Sequence, residues 1–428
     1  MVKRRTVLKT AGASTGLAAL AGCLSVDENT DTEQSGGGQT DNSGSSDDTA
    51  TATPEPGEAL LWHSRTEADI SALETDIETF QNQTVHSVKP AKIADFVSKS
   101  NSAIPAGDGP QLFEWAHDLG GDYWERGFLT DQSDNVDIDL ESTFSAAAAS
   151  AAKWDDNLIG LPFAAETVSL IYNKDMVDEP PETFAEMKAI MEEHHDPDNN
   201  QFGLGYNIDP YFISAFPHTF GGFYYDDEQD ELGLTRSDTL RGFRTVIEDL
   251  WPYSPNDPGY DPQAAVFVDG NAPLTVNGPW FMGSLEDTDI DAGVTTLPPI
   301  DGNHPKPYTG VQLIYFAKKM QDGIGVNADA ARRYAEWYTT NEDVLLTNAK
   351  DSGFIPVHQD VAASDELGEV TSAFASSVAN GRPMPASPKM QKVWGPTGDA
   401  FMKALNGSQD LKPAMSQAES TIRENWES

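Results

Sequence analysis

From Gly57 onward the sequence predicts an α/β fold divided into two lobes. Two observations carry this. Short strand-like runs alternate with segments whose apolar residues recur at helical spacing, the pattern of mostly parallel, mixed sheets covered by helices. Roughly 370 residues follow Gly57, too many for one compact core and a good fit to two. There is no internal repeat of fixed period.

In chain order, Ala59-Leu60-Leu61-Trp62 reads as the first strand. Ile70, Leu73, Ile77 and Phe80 follow at helical spacing and predict a helix. Gly109–Trp115 is another strand, entered through Gly107-Asp108-Gly109-Pro110. The stretch Leu161–Asp175 has a Pro-containing entry, a carboxylate at Glu166 and a buried run from Val168 to Tyr172. That run is short and β-branched at its start, so it predicts a strand. Glu166 is then either a solvated loop acid or a polar group at a strand end, where ligand sites collect. Phe184–Glu193 is a helix after Pro180 and Pro181, with Thr183 as its N-cap. Ala272–Val276 is a strand, Asn277-Gly278 turns the chain, and Pro279 opens the next helix beside Trp280. The tail from Met390 to Trp426 is helical, with breaks expected near Gly395-Pro396 and Gly407.

The N-terminus carries an address. Lys3-Arg4-Arg5, a short apolar run and Leu20-Ala21-Gly22 make a signal peptide over residues 1–22, too short to span a membrane. Adjacent Arg4 and Arg5 point to twin-arginine export. Cys23 is the only cysteine among 428 residues, so no internal disulfide forms. Its position after Leu-Ala-Gly predicts a lipid anchor; the other reading is an unmodified thiol. Residues 24–56 hold acids, Ser, Thr and Gly without a lysine, arginine or aromatic residue. Such a segment buries too little to offset chain entropy and predicts a disordered acidic tether spanning roughly 30 Å. The expected location is the extracellular face of the cytoplasmic membrane.

Charge narrows the partners. The formal net charge is −42, from 69 acids and 27 bases. Nucleic acid and anionic membrane surfaces need a basic face and are excluded as partners. Self-repulsion of this size is screened at about 1 M salt, where the Debye length is ~3 Å, so a halophilic host is expected. The acid clusters Asp155-Asp156 and Asp226-Asp227-Glu228 read as solvated surface rather than metal sites. His194-His195, among acids just before Pro197, reads as a frayed helix end. No nucleophile elbow, Walker loop or zinc spacing is present, and no cofactor is expected.

Aromatic residues beside carboxylates carry the chemistry. Trp115-Ala116-His117-Asp118 closes a strand and precedes Gly120-Gly121. A tryptophan face packs on the apolar face of a pyranose, and a neighbouring carboxylate accepts hydrogen bonds from its hydroxyls. The alternative is a core tryptophan with a capping aspartate. Asn277-Gly278-Pro279-Trp280, Asp209-Pro210-Tyr211-Phe212 and Met384-Pro385 with Pro388, Met390 and Trp394 extend the same theme. These motifs, in this order, resemble the maltose/maltodextrin-binding proteins, the lipoprotein-type solute-binding family 1 of ABC importers. The resemblance covers nearly all of residues 58–428 and is densest at 107–129, 160–184, 272–282 and 381–394.

The resemblance implies a type II periplasmic-binding-protein-like fold with a multi-crossing hinge. Crossings are expected at Pro162–Ala165, Pro307–Val311 and near Ile355–His358. Residues 57–163 with 311–357 then form one lobe and 164–310 with 358–428 the other. It implies that Trp115, Tyr211, Trp280 and Trp394 stack on sugar rings and that Asp118, Glu166 and Asp209 accept hydroxyl hydrogen bonds. Two family arginines are replaced, by Leu119 and Gly398, and a family tyrosine by Gly395. Arg65 and Lys92 are the candidate replacement cations. The implied function is a monomeric binding protein that delivers an oligosaccharide, maltodextrin-like, to a membrane permease without breaking a bond. The alternatives are a relative for another di- or oligosaccharide, polyol or peptide, a glycoside hydrolase using these acids, and a tethered adhesion protein.

Overall fold

The computed structural model describes residues 55–321 and 325–427; the expected leader, Cys23 and most of the tether lie outside them. The chain opens with β1 (Glu58–His63), α1 (Glu67–Gln83), β2 (Ser87–Lys92), α2 (Phe96–Ala106) and β3 (Leu112–Ala116). β4 (Gly160–Glu166) and β5 (Ser169–Asn173) follow, then α3 (Phe184–His194) and the strands β6 (Gly205–Tyr206), β7 (Leu274–Asn277), β8 (Ala292–Thr295) and β9 (Tyr308–Phe316). The last third holds α4 (Val326–Thr340), β10 (Ile355–Pro356), α5 (Glu369–Asn380), α6 (Trp394–Leu405) and α7 (Leu411–Trp426).

Two main sheets result. The first runs β10-β4-β9-β3-β1-β2, with the short strand Arg382–Pro383 added to β9; the second runs β8-β5-β7-β6. Both are mixed. β1 pairs in parallel with β2 and β3, while β9 is antiparallel to β3 and β4. In the second sheet β5 is antiparallel to both neighbours and only β6 and β7 run parallel. The sheets are therefore not mostly parallel as expected, since antiparallel pairings prevail; the parallel ones come from strand–helix–strand units. The antiparallel ones come from strands by which the chain enters and leaves each sheet, which carry no crossover helix.

Each sheet buries its own core. Leu61, Leu73, Phe80, Phe113, Leu313, Tyr334 and Tyr338 belong to the first. Met187, Tyr206, Phe216, Phe243, Leu274, Phe401 and Met415 belong to the second. A smaller cluster of Ile171, Phe281, Ile355 and Phe374 holds α5 in place. Local sequence supports the helices as predicted. Thr66 caps α1, so the helix starts ahead of its apolar stripe. Thr183 and Glu186 form a reciprocal capping box on α3.

Two more expectations change. Leu161–Glu166, expected as an entry segment, is itself strand β4, hydrogen-bonded on both sides. Pro162 is tolerated there because the register with β9 slips between Gln312 and Leu313, and a bulge dispenses with the missing N–H. Through β4 the first sheet continues to Glu166, and through β9 it resumes at Tyr308. Finally, α6 runs unbroken through Gly395-Pro396; Pro396 lies in the first turn, where no intrahelical donor is needed. The break at Gly407 is present, with φ of 72°.

Candidate ligand-binding site

The end of β3 builds one wall. Trp115 is partly buried and touches both main cores. One face of its ring stacks on Phe96 of α2, with centroids 4.8 Å apart and an 18° tilt. The next residues reach across the molecule. His117 Nδ1 accepts from the Val311 amide at 3.1 Å, which leaves Nε2 to donate to the Met384 carbonyl at 3.1 Å. Burial pushes the imidazole down to about 4, so it stays neutral. His117 is a structural tie between β3, β9 and the segment leading to α6.

Asp118 is buried, and its carboxylate is held by neutral donors. Gln391 donates to Oδ2 at 2.8 Å, and the Trp394 indole N–H to the same atom at 3.2 Å. Gln391 also bonds the Asp118 backbone carbonyl. Trp394 is partly buried and packs edge-on against Tyr308 at 5.5 Å. Desolvation outweighs these bonds and raises the Asp118 carboxyl to about 6.

Glu166 is the last residue of β4, at the step from the first sheet to the second. Thr167 and Val168 alone separate it from β5. The Gln312 side-chain amide donates to its Oε2. Gly310 leaves room for this side chain: a Cβ there would lie 2.5 Å from Glu166 Oε1 and force the carboxylate to shift. Burial, and then the Asp118 charge, raise the Glu166 carboxyl to about 7.

The segments that follow β6 and β7 contribute Asp209, Tyr211 and Trp280. Asp209 caps the short helix Pro210–Ile213, accepting from the Tyr211 amide at 2.8 Å. Asp209 is exposed at its surface, and desolvation by the surrounding protein raises its carboxyl. The Tyr211 hydroxyl is buried with no hydrogen-bond partner. The charges acting on it are Glu166, Asp118 and Asp209, all acids. Trp280 stands at the start of the 3-10 turn Pro279–Leu285. It is flanked by Tyr211 at 6.4 Å and by Phe212, edge-on, at 6.0 Å.

The two candidate cations are placed elsewhere. Arg65 forms a two-pronged pair with Glu114, at 2.7 and 2.8 Å, and bonds the Tyr338 hydroxyl. Glu114 and Trp115 are neighbours on one strand, so they point to opposite faces of the sheet. Arg65 thus serves the α4 side, among Phe163, Tyr338 and Phe354. Lys92 pairs with Glu67 at the surface. Two glutamines that sequence reading passed over do part of the work expected of cations. Gln312 interrupts the apolar run of β9, and Gln391 lies inside the Met390–Trp394 motif; a polar residue in each setting was the available sign.

Together these groups offer aromatic faces, carboxylate acceptors and neutral amide donors, a set suited to a polyhydroxylated ring. Among the described residues no group of three or more His, Cys, Asp or Glu could hold a metal ion. The profile of the family described as bacterial extracellular solute-binding protein matches residues 77–375. The chain belongs to this solute-binding family. Its relatives include a maltotriose-binding protein of Pyrococcus abyssi, 38% identical over 384 residues that cover 87% of this chain and 83% of that protein. A maltooligosaccharide ABC transporter solute-binding lipoprotein of Streptococcus pneumoniae is 22% identical over 344 residues, 74% of this chain and 77% of the relative. Among solved structures, the Thermus thermophilus maltotriose binding protein bound with maltotriose superposes with a TM-score of 0.78 and 26% identity, covering 86% of this chain and 99% of that one. The expected periplasmic-binding-protein-like α/β fold is thereby shown for this solute-binding protein.

Proposed function

We propose that this protein captures an oligosaccharide of the maltodextrin type between its lobes and delivers it to an ABC permease. The observation that supports the reading is the set of pairwise links among residues from distant stretches of the chain: Asp118, Glu166 and Asp209 all act on the Tyr211 hydroxyl, Trp394 bonds Asp118, and Trp280 lies beside Tyr211. The names of the relatives support the same ligand class. Trp280, Trp115 and Trp394 pack on pyranose faces, and Asp118, Glu166 and Asp209 accept from hydroxyls. The lobes close by hinge bending at the crossings beside Glu166 and Tyr308. No bond is broken, so the raised carboxyls need not act as a catalytic pair.

Tryptophan fluorescence titration at high salt tests this. A saturable change with maltose or maltotriose, and none with glucose alone, is expected; silence to every oligosaccharide, confirmed by calorimetry, would remove the reading. A second reading, an oligosaccharide other than a maltodextrin, is favoured by one observation: Arg65 and Lys92 are engaged outside the site, which leaves its donor set altered. The same titration with trehalose, sucrose and cellobiose separates the two.

We also propose twin-arginine export and lipid anchoring at Cys23 on the outer face of the cytoplasmic membrane, in a halophilic host, with the protein working as a monomer. Cys23→Ser should move the protein from the membrane fraction to the medium. Retention in the membrane fraction would argue for another anchor.

A further inference from the structure

The charge balance of the site goes beyond what a neutral sugar requires. Asp118, Glu166 and Asp209 act together on the buried Tyr211 hydroxyl. The hydrogen bonds that hold these carboxylates come from Gln391, Gln312, the Trp394 indole and the Tyr211 amide, all neutral. Arg65 is spent on Glu114 and Lys92 on Glu67. The adjacent imidazole, His117, is tied on both nitrogens as a neutral ring. Among the described residues the charges that act on Glu166 and on the Tyr211 hydroxyl are all acids, so the site sets tryptophan faces beside acids held by neutral donors.

We propose that this site selects by charge, taking oligosaccharides that carry a protonated amine in preference to their neutral counterparts and rejecting those that carry a carboxylate. The inference rests on the oligosaccharide reading above. An ammonium group gains twice here. It makes charge-assisted hydrogen bonds to the carboxylates, and it lies against the negative face of an indole. A neutral ligand leaves Glu166 and Asp118, both desolvated by burial, without a countercharge. A uronate adds another negative charge to the same space and is repelled.

Calorimetry on the folded protein at fixed salt and pH 8 tests this with one trisaccharide scaffold in three forms. These are maltotriose, amino-deoxy-maltotriose with the amine at either C-2 or C-6 (so that a clash at one position is not read as indifference to charge), and the singly oxidised uronate. At least one amine isomer is expected to bind about tenfold or more tighter than maltotriose, and the uronate not detectably. Lowering the pH toward 5 should shrink the amine preference as the carboxyls protonate. Glu166→Gln should shrink it as well; Asp209→Asn, at a more exposed position, serves if that variant does not fold. Equal affinity for amine and neutral forms, or binding of the uronate as tightly as maltotriose, would overturn the charge inference and leave the oligosaccharide reading standing. Failure of all forms to bind would overturn both.

Discussion

Trp280 and Glu166 show how single side chains divide the work. Trp280 is held between Tyr211 and Phe212 while part of its surface stays open. Trp280→Ala should weaken oligosaccharide binding by roughly 1–3 kcal/mol, the usual worth of a buried aromatic contact. Calorimetry checks this, and unchanged affinity would take Trp280 out of the site. Glu166 makes a stability prediction with a definite sign. Its carboxyl titrates near 7 in the fold, against an ordinary 4.5. The protonated form is the one the fold prefers, so its contribution is complete below pH 4.5 and is lost as pH rises through 7. Glu166→Gln should therefore raise the unfolding free energy of the ligand-free protein at pH 8 by about 1–2 kcal/mol, less than full burial would give because part of the side chain remains open. At pH 4.5 the difference should vanish. A urea midpoint measured at both pH values decides it.

At the scale of elements, His117 ties three pieces of chain just past the ends of their sheet pairings, Ala116 with Gln312 and Arg382–Pro383 with Tyr308–Thr309. Its bonds to Val311 and Met384 hold the end of β3 against β9 and the segment ahead of α6. Removing the ring strands a buried amide and a buried carbonyl, so His117→Ala should cost about 2–4 kcal/mol in urea unfolding. The neutral imidazole also carries pH dependence of the opposite sense to Glu166. Its value is pulled from 6.5 to about 4, so its contribution is present above pH 6.5 and lost as pH falls through 4. In His117→Ala the loss of stability between pH 6.5 and 4 should be smaller than in the parent protein. An unchanged acid limb would show that other groups govern it; His218, lowered to about 3 by burial, is the nearest rival.

For the whole molecule, charge is the dominant variable. The formal charge is −42, with 69 acids against 27 bases, and among the described residues most acids are exposed. Raising salt from about 0.1 to about 2 M shortens the Debye length from ~10 Å to below ~3 Å and removes most of that repulsion. The thermal midpoint should climb steeply over this range, whereas affinity for a neutral sugar, built on stacking and neutral donors, should change little. A flat midpoint would count against the halophilic reading. Surface ion pairs such as Arg241–Asp301 and Lys389–Asp230 are exposed and contribute little at high salt.

Periodicity, caps and turn residues determined the α/β class and the start of α3, because those depend on contacts within a few residues. Thr183 could be read as a cap because its neighbours in sequence define the capping box. Pairing across the sheets was not legible in that way. Only the fold decided that Leu161–Glu166 is a central strand with a bulge at Pro162, since the bulge exists only against β9. Only the fold committed Arg65 to Glu114 on the far side of the sheet and gave Asp118 to Gln391 and Trp394. The residues in each of these pairs lie tens to hundreds of positions apart. What joins them is burial, which leaves a charged or polar group no option but the partner that tertiary packing brings within reach.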